Sequence, residues 1–156
     1  MATVYRLASA GPDWDECDLT GAAAKVVGGR WNNVGVPMMY ASSSIALAVL
    51  ETIVHLGATR MVFNRYLVAI EIPADLYRRR EVVERPPEAL DSIHASFKSK
   101  QFGSDWVTAG RKLLLDVPSV IVPRERNILI NPLHPDMHRL KTANLGRFAY
   151  DPRLGS

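Results

Sequence analysis

The sequence predicts an α+β fold in a single compact domain, residues 1–156. Three observations carry this. Segments with strand character outnumber those with helical periodicity. The helices do not alternate regularly with strands, as a doubly wound parallel sheet requires. Neither GxxxxGK[ST] nor GxGxxG occurs, so the phosphate-binding turns of the common nucleotide-binding α/β folds are missing. The balance of 47% hydrophobic and 22% charged residues is that of a globular chain. The longest apolar run, Ile45 to Leu50, falls far short of the ~20 residues that cross a bilayer. No basic segment followed by an apolar stretch opens the chain, so the expectation is cytoplasmic residence without membrane association. Its one cysteine, Cys17, excludes an internal disulfide and a cysteine-based zinc cluster.

Taken in order, Thr3 to Ala8 alternates as a short strand. Gly11 to Thr20 is an acidic turn region, and Gly28 to Asn33 (GGRWNN) is a loop whose paired glycines permit close backbone approach. Pro37 to Ala41 reads as a strand running into Ser42-Ser43-Ser44, a helix N-cap signal. The helix it starts spans Ile45 to Leu56, with Ile45, Ala48, Val49, Thr52, Ile53 and Leu56 on one face, and stops at Gly57. Met61 to Ile72 reads as a long strand ended by Pro73, and Arg78 to Val83 as another. Pro86-Pro87 breaks the chain before a weakly helical Glu88 to Ser96. Trp106 to Leu115 reads as a short helix, and Ser119 to Pro123 as a buried strand bracketed by prolines. Asn127 to Asn131 is a further apolar segment, Leu133 to Arg139 is loop-like, and Arg147 to Tyr150 closes the chain as a strand.

The formal net charge is +3, and fourteen of the nineteen cationic residues are arginine, which favours fork-shaped contacts to phosphate or carboxylate. The one dense basic run, Arg78-Arg79-Arg80, is followed by Glu81 and Glu84, so direct nucleic-acid binding is not expected. His134 and His138 have ligand spacing, but Pro135 between them disfavours the helix that would align them, and no metal is expected. Glu51 stands among Leu47, Val49, Leu50, Ile53 and Val54: it is either a partly desolvated carboxylate with a task or the exposed edge of an amphipathic helix. Arg30 suits a phosphate cradle, or a guanidinium stacked on Trp31. Tyr40 ends a strand where its ring can stack on a planar ligand or pack at the core rim. Ser119, a hydroxyl inside an apolar run, needs a hydrogen-bond partner, and no GxSxG elbow makes it a nucleophile.

The ordered series YR, GGRWNNVG, PMMYAS, SIALAVLE and VPSVIVPRERNILINPLHP resembles the RES domain, the toxin half of a bacterial toxin–antitoxin pair, over Thr3 to about Pro135. The family's arginine, glutamate and serine map onto Arg30, Glu51 and Ser119. The resemblance implies a split or curved, mostly antiparallel sheet with flanking helices, similar to diphtheria-toxin-type ADP-ribosyltransferases. It implies NAD⁺ as substrate, split at the nicotinamide–ribose bond by hydrolysis or phosphorolysis so that the cell's NAD⁺ is depleted and growth arrests. The alternatives are ADP-ribosyl transfer to a protein and a non-catalytic nucleotide- or partner-binding module. Arg30, Tyr40 and Glu51 are then the catalytic candidates, with Arg6, Arg30, Tyr40, Ser119 and Asn127 (or Asn131 in its place) binding substrate. An Xre-type antitoxin covering the active site, and a homodimer inside that complex, complete the expectation.

Overall fold

The computed structural model describes residues 1–56, 64–84 and 97–155. In chain order its elements are β1 (Ala2–Ala8), α1 (Ala22–Val27), β2 (Met39–Ser42), α2 (Ile45–Leu56), β3 (Tyr66–Ile72), α3 (Ala74–Arg78), β4 (Glu81–Val82), α4 (Phe97–Ala109), β5 (Leu114–Pro118), β6 (Arg126–Ile130) and β7 (Lys141–Arg147). The strands form one sheet in the order β4-β5-β6-β2-β1-β3-β7. Every pairing is antiparallel except β4 with β5. This is the expected α+β, mostly antiparallel architecture.

The sheet has a weak seam at its middle. β1 pairs with β3 through seven residues and β2 with β6 through four, whereas β1 and β2 meet only where Tyr5 faces Ser42. Strand alternation sorts the side chains cleanly. One face carries a continuous core that includes Val4, Ala8, Met39, Ala41, Ile70, Ile72, Ile128 and Ile130. The other face carries two smaller clusters. Trp31, Met38, Leu115, Val117 and Leu129 pack with Trp106 and Val107 of α4, while Leu7 packs with Ala48 and Val49 of α2. Leu67, Phe148 and Tyr150 complete the second cluster. At the β4 edge, buried Asp116 accepts from Arg80 Nε at 2.8 Å and from Arg126 Nε, so the arginine just before β4 and one from β6 share one carboxylate.

Several expectations are corrected. The helix expected at Trp106 to Leu115 is α4, which ends at Gly110 in a left-handed conformation (φ +66°), and Leu114–Pro118 is strand. The buried residues of α4 are Ser99, Gly103, Ser104, Trp106 and Val107, mostly small, so its first half lacks the apolar periodicity that marks a helix. Ser119 to Pro123 is the turn joining β5 to β6, not a strand. Leu133 to Arg139 contains a 3₁₀ turn (Pro135–Arg139) capped by the ring of His134, with Pro135 in the first turn, where its missing N–H is no loss. The last strand is Lys141–Arg147, and Phe148 follows with only its N–H bonded, to Arg65 O. Of Arg78 to Val83, only Glu81–Val82 is strand and Arg78 ends α3. Gly57, the start of the Met61 to Ile72 strand and Glu88 to Ser96 lie outside the described residues, whereas α1 has no counterpart among the expected elements.

Candidate active site

The segment from β2 into α2 builds half of the site. Of the three serines, Ser44 is the cap: its Oγ accepts from Leu47 N at 3.1 Å. Ser42 is the last residue of β2 and is buried. Two turns into α2, Glu51 reaches the far end of β5 and β6. Its Oε1 accepts from Ser119 Oγ at 2.7 Å and from Asn127 Nδ2 at 2.6 Å. Ser119 is itself held, because its Oγ accepts from the N–H groups of Ile121 (3.1 Å) and Val122 (3.0 Å) and its own N–H donates to Glu125 O. A serine whose lone pairs are filled by two backbone donors has one proton left, and that proton goes to Glu51. The partner expected for this hydroxyl is therefore found, and Glu51 is no solvated helix edge.

Asn131, the alternative to Asn127, is used elsewhere. It is fully buried, donating to Val107 O and accepting from Leu133 N. Asn127 is the asparagine of the site.

The GGRWNN loop is tied down by residues that the sequence reading left out. Buried Asn32 donates from Nδ2 to Ala24 O and Val36 O, both at 2.9 Å, and accepts the Tyr40 hydroxyl at 2.6 Å. That hydroxyl in turn accepts from Trp31 N at 3.0 Å. The phenol is thus committed to the loop in both directions, and burial pushes its pKa well above the ordinary tyrosine value, with the hydrogen bond from Trp31 opposing. The Tyr40 hydroxyl fixes the turn that carries Arg30. A Cβ at Gly29 would meet Tyr40 Oη at 2.7 Å, which is why the second glycine is needed. From α4, Ser104 Oγ accepts from Asn33 N at 2.9 Å. Burial lowers the pKa of Arg30, and the Glu51 carboxylate opposes that shift, so the cation and the carboxylate feel each other across the site.

Arg6 is a correction. Strand alternation puts it on the face of Val4 and Ala8, in the electrostatic surroundings of Asp18, Arg65 and Cys17, whereas Tyr40, Ser42 and Asn127 project from the opposite face. The structure brings Arg30, Tyr40, Glu51, Ser119 and Asn127 together and leaves Arg6 out. Ser42 and Asn32 are the residues that sequence reasoning missed. Among the described residues no cluster of three or more His, Cys, Asp or Glu side chains suits a metal, and no helix is long and apolar enough to cross a membrane.

The RES domain model matches residues 3–151. The chain belongs to the RES domain family. Curated relatives agree with that placement over nearly the full length. A protein of Sphingobium sp. (strain YBL2) called "Prs ADP-ribosylating toxin" is 47% identical over 152 residues, covering 96% of this chain and 94% of the relative. A "Toxin Res" of Photorhabdus laumondii is 34% identical over 152 residues, covering 97% and 96%. Among solved structures, the M. tuberculosis MbcT–MbcA toxin–antitoxin complex contains a chain of the same fold, with a TM-score of 0.63 at 17% identity over 99% of this chain and 86% of that one. Glu51 and Ser119, two of the residues that the sequence motifs single out, share a hydrogen bond in this structure.

Proposed function

We propose that this RES-family protein is the toxin of a toxin–antitoxin pair and that it breaks the nicotinamide–ribose bond of NAD⁺. The observation that carries the reading is the state of Glu51: one carboxylate oxygen is pinned by Ser119 and Asn127. Loss of nicotinamide develops positive charge on the ribose, in the manner of glycoside cleavage. A carboxylate held rigid before the reaction stabilises that charge without reorganising, which is the most effective use of electrostatics in a site. Arg30, on its tied loop, is placed to neutralise the substrate's diphosphate. The Tyr40 ring supplies a stacking surface for a planar base. The attacking group then meets an already cationic ribose. Water and phosphate both serve as that group, giving hydrolysis or phosphorolysis. The chemistry asks for no metal, and the NAD⁺ pool it consumes places the action in the cytoplasm. Such an enzyme poisons its own host, so an antitoxin that occludes the cleft is its expected partner, of Xre type and with a toxin dimer in the complex if it follows the family.

A second reading is favoured by the Sphingobium relative, whose name describes an ADP-ribosylating toxin acting on Prs. In that case a protein side chain takes the place of water. Purified protein incubated with NAD⁺, with and without phosphate, separates the readings by chromatography and mass spectrometry. Free ADP-ribose identifies a hydrolase, ADP-ribose-1″-phosphate a phosphorylase, and label transferred to a protein band in lysate a transferase. Folded, antitoxin-free protein that binds NAD⁺ but turns over none, with or without lysate, leaves only a binding module.

A further inference from the structure

Ser42 lies two hydrogen bonds behind the Glu51 carboxylate, through Asn127. Its Oγ is 2.8 Å from Asn127 Oδ1, while Asn127 Nδ2 is 2.6 Å from Glu51 Oε1. The proton order along this chain follows from chemistry alone. An ionised carboxylate only accepts, so the Asn127 edge facing Glu51 must be the NH₂ group. The carbonyl edge then faces Ser42, so the serine must donate. A flipped amide would set a carbonyl oxygen against a carboxylate oxygen, two acceptors within hydrogen-bond distance. β2–β6 pairing sets Ser42 directly opposite Asn127, so both side chains leave the same face of the sheet. Ser42 is buried, so water does not readily replace the hydroxyl.

We infer that Ser42 is a positioning residue for Glu51, acting through Asn127: it locks the asparagine amide in the one orientation that donates to the carboxylate. This rests on the NAD⁺-cleaving reading above. Ser42 touches no substrate. Without that hydroxyl the Asn127 amide is anchored at one end only, by Glu51 itself, so it no longer gives the carboxylate a fixed donor. Rotation of the carboxylate away from its productive angle then lowers the rate of the chemical step and leaves substrate binding unaffected.

The test compares Ser42→Ala and Ser42→Thr with the wild type, using steady-state nicotinamide release and amide NMR with melting curves as a check on folding. Ser42→Ala is expected to lower kcat about 10-fold with KM unchanged, and Ser42→Thr, which restores the hydroxyl, to recover most of the rate. In spectra of the wild type, the Asn127 side-chain NH₂ pair (assigned by its disappearance in Asn127→Asp) is expected to exchange slowly with solvent, and in Ser42→Ala quickly. An unchanged kcat in folded Ser42→Ala, or a Ser42→Thr protein that folds but stays as slow as Ser42→Ala, overturns the role of Ser42 and leaves the proposed activity standing. Wild-type protein that releases no nicotinamide refutes the proposed activity instead. The NH₂ exchange then decides the inference alone: slow in the wild type and fast in Ser42→Ala supports it, and equal rates overturn it.

Discussion

Gly103 offers a test in which two physical effects predict opposite signs. It sits in the middle of α4, where replacing glycine by alanine ordinarily stabilises a helix by about 1 kcal/mol. Here, a Cβ on residue 103 would lie 1.8 Å from Trp31 O and 2.7 Å from Trp31 C. Both are backbone atoms of the loop that carries Arg30, so no side-chain rotation relieves the contact. Restoring ordinary separation moves helix and loop apart by roughly 1.5 Å. Overpacking of this kind costs typically 1–3 kcal/mol, and a backbone clash belongs near the top of that range. The net expectation for Gly103→Ala is a destabilisation of about 1–2 kcal/mol, seen as a Tm lower by roughly 3–6 °C. The shift also draws the loop from its bonds to Ser104 and Tyr40, so Arg30 leaves its place and turnover should fall on the order of 100-fold. Thermal melting with a nicotinamide-release assay reads both. A Gly103→Ala protein that melts higher than the wild type, as helix propensity alone requires, refutes the argument that α4 and the loop are in backbone contact.

Other expectations follow from the site and its supports. Glu51→Gln keeps an oxygen to accept from Ser119 and Asn127 but loses the charge, so it should fold with a Tm near wild type and lose at least 100-fold in turnover; near-normal nicotinamide release would remove Glu51 from the mechanism. Tyr40 has its pKa raised by burial above the ordinary value of 10.0. Its neutral form is therefore retained in the folded state after the unfolded chain has begun to ionise, and stability should fall as pH rises above 10; Tyr40→Phe should lower stability at pH 7 by about 1 kcal/mol and flatten that alkaline decline in urea melts. Asp75, hydrogen-bonded to Arg139 and Arg79, is held at about 2, below its ordinary 3.8. Its contribution is present above the unfolded value and lost as pH falls through about 2. A carbon-detected titration should find Asp75 titrating below the ordinary aspartate value, and Arg139→Ala should raise it toward that value.

Local signals in the sequence were enough for β1, β2 and α2, because each has short-range periodicity and, for α2, a serine cap at its start. They also single out Glu51 and Ser119 as candidates, since a carboxylate or a hydroxyl inside an apolar run demands an explanation wherever it occurs, whereas Arg30 and Tyr40 stand out chiefly through the ordered motifs that resemble the RES domain. The start of α4 is hidden because the buried residues before Trp106 are Ser99, Gly103 and Ser104, which carry no hydrophobic period; the close approach of Gly103 to Trp31 is visible only in three dimensions. The turn at Ser119 was read as strand because an apolar run between prolines has the same composition in either state. Ser42 stayed hidden for a different reason. Its task depends on standing opposite Asn127, eighty-five residues away, and strand register is a long-range property that no window of sequence contains. Arg6 illustrates the converse: the YR pair is easily recognised, yet which of two adjacent residues faces the site is decided by a strand's alternation against its neighbours.

The seam between β1 and β2 bears on how the protein loses its activity. Glu51 rides on a helix whose apolar face rests against the β1 side of the sheet, while its hydrogen-bond donors, Ser119 just after β5 and Asn127 of β6, lie on the other side. The two halves are joined within the sheet by a single facing pair. Folded proteins open in cooperative pieces long before they unfold as a whole, and the pieces part where the fewest bonds hold them. A parting along this line separates the carboxylate from its serine and asparagine while the ladders on either side stay closed. Amides flanking the seam should therefore exchange through a shallower opening than those of β3 or β6. On warming, catalytic competence should fade before the circular dichroism of the sheet does, so that the protein can be disarmed while still largely folded.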